Sequence, residues 1–255
     1  MMPQEADATR LSIELFQENG YAGPFSLLDL DQSCFLERMI LAAFRRGQFS
    51  VLKTGRNRHL DWKPIADICR LGPIVQHVAS LLGSNLLLWR TQIFYQGTDR
   101  ALPWHRDTFR NLLDGPPKGL SLHVAITSAS ESNCVSVIPG SHLIDDATPL
   151  GLEEDRGKAA YGNTRYRQVG SLPCEKKMVL KRGEFFIFHP MLIHQTSRVN
   201  DTAPAPRLAL TLRIITPDVK VLPAAFSDVP PSRRGVVVLA GEDTHRLNQA
   251  ARWPQ

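Results

Sequence analysis

Leu86-Leu87-Leu88-Trp89-Arg90-Thr91-Gln92-Ile93-Phe94-Tyr95 marks the point at which the chain changes character. The stretch is rich in apolar, aromatic and branched residues and reads as a β-strand. Downstream, Leu120–Ala129, Cys134–Ile138, Lys177–Leu180, Glu184–Phe188 and Arg207–Ile215 read the same way. Turn signals separate them: Asp114-Gly115-Pro116-Pro117, Pro139-Gly140-Ser141 and Arg182-Gly183. Short strands with no helices between them imply an antiparallel sandwich or barrel. Upstream the pattern is helical. Residues 9–19 carry Leu11, Ile13, Leu15 and Phe16 and stop at Gly20; residues 31–46 place Phe35, Met39, Ile40 and Phe44 at helical spacing; residues 73–83 run from Pro73 to Gly83. One domain is expected, with a helical part at 1–83, a strand core at 84–217 and an extension at 218–255. Residues 144–176 are polar and aperiodic and read as a long loop of the kind that covers sites.

Composition narrows the function. The 255 residues carry a net charge of +5, with 43% hydrophobic and 22% charged residues, as an ordinary globular chain does. No apolar run reaches the length of a membrane span. The N-terminus lacks an export pattern, and Cys34, Cys69, Cys134 and Cys174 form no CxxC pair, so a reduced, cytoplasmic protein is expected. There is no Lys/Arg block interleaved with aromatics, which argues against nucleic acid. A small anionic substrate, or an acidic protein presenting one, suits the mild basic balance. Arg45, Arg46, Lys53, Arg56 and Arg58 read either as a docking surface for an acidic carrier protein or as a solvated basic face.

The chemistry is concentrated in Pro103-Trp104-His105-Arg106-Asp107-Thr108-Phe109. His105 and Asp107 are two apart, so on a strand they point to one side. An imidazole and a carboxylate then converge, and a histidine from elsewhere completes the two-histidine, one-carboxylate set that holds non-haem Fe(II) with open positions. His194 and His189 compete for that third place. His142, in a Pro-Gly-Ser-His turn, reads as supporting, and His59, His77 and His245 as surface or cap residues. Arg207 and Arg213 lie an even number of residues apart in Arg207-Leu208-Ala209-Leu210-Thr211-Leu212-Arg213, so both face one side of that strand. An inward arginine needs an anion. The distal carboxylate of 2-oxoglutarate fits a guanidinium in bidentate contact; the competing reading is a structural ion pair.

These residues resemble the phytanoyl-CoA dioxygenase-like family of Fe(II)/2-oxoglutarate enzymes. Within it, the chain is most similar to the aliphatic chlorinating enzymes of nonribosomal peptide pathways, of the syringomycin and barbamide type. The likeness runs through Asn19–Phe25, Arg58-His59-Leu60, Leu88–Phe94, Trp104-His105, Ile138–His142, Gly183–Phe188, Ile193-His194, Arg207-Leu208 and Val236–Thr244. It implies a double-stranded β-helix, a cupin-like jelly roll, with N-terminal helices packed on one side. It implies His105 and His194 as the iron histidines, His194 taking the place because a tryptophan usually stands where His189 is. It also implies Arg207 as the anchor of the 2-oxoglutarate carboxylate and Arg213 as a second arginine near that co-substrate. His123 stands where those enzymes carry a tryptophan beside 2-oxoglutarate, and Leu102 where they carry a threonine. The loops near 110–118 and 144–176 are shorter than in these relatives, where they cover the substrate.

Position 107 departs from the chlorinating enzymes, which carry Ala or Gly there and fill the freed site with chloride. Asp107 restores the ligand set of a hydroxylase. The resemblance therefore implies an oxidoreductase using Fe(II), 2-oxoglutarate and O2 to hydroxylate an aliphatic C–H of a small amino-acid-like or acidic substrate in a biosynthetic pathway. Desaturation, cyclisation, epimerisation or halogenation by the same oxidant is the alternative, on a free or carrier-tethered substrate, and a non-enzymatic metal-binding cupin is a third. Arg90, Gln92, Phe94, Arg106 and Phe109 are the expected substrate-side residues.

Overall fold

A computed structural model describes residues 12–46, 55–96, 102–114, 118–155, 163–196 and 207–255. Two six-stranded antiparallel sheets carry the architecture. Numbered along the chain, the first sheet contains β1 (Tyr21–Ser26), β2 (Leu86–Gln96), β5 (Gly119–Ala125), β10 (Glu184–Phe188), β12 (Arg207–Ile215) and β14 (Val237–Ala240), in the spatial order β1-β10-β5-β12-β2-β14. The second contains β3 (Leu102–Arg106), β6 (Val135–Val137), β7 (Leu152–Glu154), β8 (Thr164–Gln168), β9 (Lys176–Met178) and β11 (His194–Thr196), in the order β7-β8-β3-β11-β6-β9. A small pair joins β4 (Leu113–Asp114) to β13 (Lys220–Val221). This is the expected jelly roll.

Helices cover the outer face of the first sheet. α1 (Leu30–Arg45) starts at a capping box: Asp29 accepts from the Gln32 backbone at 2.7 Å, and the Gln32 side chain accepts from the Asp29 N–H at 3.1 Å. Ser33, Leu36, Ile40 and Ala43 form its buried stripe. This corrects the expected face, since Phe35 is 52% exposed. α2 (Lys63–Cys69) went unforeseen, being short and opening on Lys63-Pro64. α3 (Gly72–Leu82) begins at Pro73 and ends before Gly83, whose φ of 91° few other residues adopt. Residues 12–19 are helical, and residues 9–11 of that expected helix lie outside the described residues. Among the described residues no single helix is long and apolar enough to cross a membrane. The bent pair α2 and α3 is apolar along its combined length, but Ile65, Ile74 and Val78 are fully buried in the protein core.

The largest core lies between these helices and the sheet. Leu208, Leu210, Leu212 and Ile214 of β12 and Leu120, Leu122 and Val124 of β5 meet Ile40, Ile74 and Val78 there. Alternation along β12 therefore turns Arg207, Thr211 and Arg213 to the inner face, where they line a cavity between the sheets. On β2 the alternation breaks once. Arg213 pairs with Arg90 but Ile214 pairs with Leu88, so Trp89 is an extra residue in a bulge. The bulge lets Leu86 and Leu88 pack outward while Arg90, Gln92 and Phe94 face the cavity. At one side, Ala125, Phe186 and Phe188 of the first sheet meet Val135, Val137 and Met178 of the second and hold the layers together.

Three expectations about organisation need correction. The first sheet takes an edge strand from each flanking part: β1 from 1–83 and β14 from 218–255. Residues 144–176 are not one long loop. They hold a short helical turn at Thr148–Leu150, then β7 and β8, and β8 pairs with β3. Thr164 and Tyr166 are its buried positions, and the intervening arginines hid the alternation. The basic stretch divides: Arg45 and Arg46 are exposed at the end of α1, but Arg56 and Arg58 are not free surface cations. Arg56 is buried and pairs with Asp228, and Arg58 pairs with Asp61 at 2.9 Å. Lys53 lies outside the described residues.

Candidate metal centre

β3 and β11 run antiparallel with His105 directly opposite His194. Directly opposed residues share a face, and the two rings meet with centroids 4.1 Å apart. Asp107 lies just past the end of β3, where its N–H donates to Pro190 O at 2.9 Å. It is 1% exposed, with Oδ1 3.9 Å from His105 Nε2. One ligand atom from each of the three residues lies within 4.8 Å of the others.

The local hydrogen bonds fix the protons. His105 Nδ1 sits 2.7 Å from Pro103 O and His194 Nδ1 2.9 Å from Leu192 O. A carbonyl only accepts, so each Nδ1 carries the hydrogen and each Nε2 presents a lone pair. Burial holds His105 neutral, with its pKa drawn down to about 3, and lowers His194 likewise. Burial alone would raise Asp107, but Arg213, helped by His194 and His105, outweighs it and holds the carboxyl at about 2. Arg213 donates to Asp107 Oδ2 at 3.2 Å, while Oδ1 is buried with no hydrogen-bond partner. Two neutral nitrogen donors and one ionised oxygen with an unused lone pair fit a divalent cation, with a face left for other ligands.

The cavity over this face measures about 290 Å³. Arg207 reaches it from β12. It is 3% exposed, donates from Nη1 to Asn133 O at 2.7 Å, and keeps a buried Nε without a partner. No acidic side chain pairs with it among the described residues. Burial lowers its pKa only to about 10, so it stays charged at neutral pH. His123 lines the same space, 3.5 Å from Thr211 Oγ1. Burial first, then Arg207 and His194, push it far below the usual imidazole range.

The rivals separate cleanly. His189 faces Phe16 and His142, and its Nδ1 accepts from the Met191 N–H at 3.1 Å. His142 contacts Gln17 O at 3.2 Å. Neither lines the cavity. His59, expected at the surface, is instead fully buried against Thr91 Oγ1 at 2.9 Å. His77 stacks on Phe25, and His245 is exposed. Arg90, Gln92, Phe94 and Phe109 line the cavity, as expected of them, but Arg106 does not. Alternation on β3 turns it outward, where it donates to the carbonyls of Ser141, Ile144 and Asp145. Arg56, Asn163, Arg165 and Thr196 also line the cavity and were not foreseen. Their signals were weak: Arg56 sat in an apparent surface run, and Asn163 and Arg165 in an apparent loop.

Two facing antiparallel sheets with two histidines and an aspartate converging between them define a jelly roll of the mononuclear non-haem iron class. The chain belongs to the phytanoyl-CoA dioxygenase (PhyH) family, whose model matches residues 44–207. It is an oxidoreductase of the non-haem Fe(II)/2-oxoglutarate type, with those two as cofactor and co-substrate. A search of curated proteins finds no match. Among solved structures, the apo form of the non-haem monooxygenase ThoJ aligns at TM-score 0.74 and 20% identity, over 95% of this chain and 88% of that one. CytC3 with Fe(II) and α-ketoglutarate aligns at 0.71 and 22%, over 99% and 94%. The epimerase SnoN, in complex with Fe3+ and α-ketoglutarate, aligns at 0.67 and 16%, over 86% and 88%. At these identities the likeness is one of fold.

Two outcomes follow from the geometry. Mn(II) binding, followed by calorimetry, should weaken by more than about hundredfold in His105→Ala and His194→Ala, beyond what loss of a supporting partner costs. His189→Ala should bind as wild type does, and the reverse result would exchange the two histidines. The second outcome concerns acid. His59 and His105 have folded-state pKa values of about 3, against 6.5 for the free side chain. Between those values the unfolded chain binds protons that the folded chain does not, so stability falls as pH drops below about 6.5, by up to ~1.4 kcal/mol per pH unit for each such group. Urea midpoints of the metal-free protein should drop sharply from about pH 7.5 to about pH 5.5; a flat profile would contradict the burial of neutral histidines.

Proposed function

We propose that the protein hydroxylates an unactivated C–H bond of a small molecule, with His105, Asp107 and His194 as the three iron ligands and Arg207 as the 2-oxoglutarate anchor. The observation that carries this reading is the buried, ionised Asp107, whose Oδ1 has no other partner. Bound together, iron, 2-oxoglutarate and O2 supply an oxidative decarboxylation coupled to removal of an aliphatic hydrogen. The chain's own residues do the rest. His105 and His194 present fixed lone pairs because Pro103 O and Leu192 O hold their N–H groups. Arg213 orients the Asp107 carboxylate and keeps it charged. Arg207 offers a preformed cation to the distal carboxylate, and neutral His123 adds no competing charge beside it. Asp107 occupies the position that a halide would need, which favours hydroxyl over chloride in the product.

Desaturation, epimerisation or ring closure is the second reading. Jelly rolls of similar fold include the epimerase SnoN and the carbocyclase SnoK, and placement of the substrate decides between these outcomes. The inward Arg207 supports an enzyme over a storage-type metal-binding cupin. For a carrier-tethered substrate the basic stretch offers only the exposed Arg45 and Arg46 among the described residues, because Arg56 and Arg58 are paired with Asp228 and Asp61.

Arg207→Ala should raise the KM for 2-oxoglutarate by about 30-fold to several thousand-fold, the equivalent of roughly 2–5 kcal/mol for a buried charge pair, while Mn(II) affinity survives. An unchanged KM would remove Arg207 from the anchor role. Product mass spectrometry in high chloride tests the outcome: wild type should yield product heavier by one oxygen and no chlorinated species. Asp107→Gly should lose most of that hydroxylation. Chlorinated product from wild type would sink the hydroxylase reading.

A further inference from the structure

Five guanidinium groups line the cavity, those of Arg56, Arg90, Arg165, Arg207 and Arg213, against one carboxylate, Asp107, among the described residues. Four of the five have work. Arg213 holds Asp107, Arg56 and Arg90 both bind Asp228, and Arg207 awaits the co-substrate. Arg165 is the fifth. It stands on β8 directly opposite His105 of β3. Cross-strand partners share a face, so its side chain rises beside the metal ligand. Its other cross-strand neighbour, Asp155, donates its backbone N–H to Arg165 O at 2.8 Å, yet no ion pair forms between the side chains. Among the described residues no acidic group lies within salt-bridge distance of the Arg165 guanidinium. Asn163, two residues earlier on the same side, lines the cavity with Oδ1 buried and unpartnered.

A half-buried guanidinium beside a reactive centre raises the affinity for one kind of ligand above all others, an oxyanion held in bidentate contact. We infer that the prime substrate carries an oxyanion, a carboxylate or a phosphate monoester, and that Arg165 binds it, while Asn163 Oδ1, an acceptor, takes a hydrogen bond from an N–H or O–H elsewhere on the same molecule. Arg165 is thus a specificity residue distinct from the co-substrate anchor. The anion docks on the second sheet, and Arg207 serves 2-oxoglutarate from the first. This rests on the reading of His105, Asp107 and His194 as the metal site only for where the oxidised carbon lies, and not for the anion preference.

The test is calorimetric titration of the Mn(II)- and 2-oxoglutarate-loaded protein, with the metal-free protein in parallel. The probes are a panel of short aliphatic and amino-acid carboxylates, the matching alkyl phosphates, and the matching neutral amides. Wild type should bind its best anion at least about tenfold tighter than the corresponding amide. Arg165→Met should bring that preference to within about twofold, leaving 2-oxoglutarate affinity and thermal stability unchanged. Arg165→Lys, which keeps the charge but loses the planar fork, should retain part of it. Tighter binding of carboxylates or of phosphates identifies which oxyanion the substrate bears. No anion preference in wild type, or one that survives in Arg165→Met, overturns the inference. Failure of Mn(II) or 2-oxoglutarate to bind would fall on the metal-site reading instead, because the metal-free titration reads Arg165 on its own.

Discussion

The antiparallel register that sets His194 opposite His105 is the constraint on which the site depends. A slip of one residue on either strand would send one imidazole into the interior and the other outward. Several contacts pin that register. Asp107 N–H reaches Pro190 O across the same pair of chains, and Ile193 N–H is held by Ser141 Oγ at 2.8 Å. Arg106, alternating outward between two inward residues, ties the strand to the carbonyls of the Ser141–Asp145 turn. The arginine between the ligands is therefore structural, and it keeps them aimed by gripping the chain behind them.

The second theme is charge kept inside at a cost. Buried ions destabilise unless something answers them. Asp107 is answered by Arg213, which itself lies over the Phe109 ring at 4.9 Å from its centroid. Among the described residues Arg207 is answered only by a backbone carbonyl. A cation left that way in a protein interior is tolerated where a ligand regularly supplies the missing charge. The imidazoles follow the opposite strategy and remain neutral, so that their Nε2 lone pairs are available at any pH near neutrality.

Much of this was legible in the chain because period-two alternation is a local property. The parity of Arg207 and Arg213, the pairing of His105 with Asp107, and the long strands β2 and β12 all follow from counting residues. What escaped was set by partners distant in sequence. β8 is short and studded with arginines, and only its seat on β3 makes it a strand. The choice between His189 and His194 depends on which backbone positions pair between neighbouring strands of the second sheet, so the residues alone left both in play. Arg56 looked like a solvated cation because nothing nearby in sequence announces Asp228. The bulge at Trp89 is another such feature: Leu86 and Leu88 before it and Arg90 and Gln92 after it, which unbroken alternation would put on one face, lie on opposite faces.

Asp228 hangs from an irregular stretch between short helical turns, outside both sheets, yet it grips two arginines of the cavity wall. The barrel strands must satisfy pairing, packing and metal geometry together, and they tolerate little drift. The segment around Asp228 answers to far fewer of these demands. A substitution there would alter the electrostatic balance of the substrate chamber while every strand stayed in place. The charge of the cavity wall is thus set in part by a carboxylate that belongs to neither sheet.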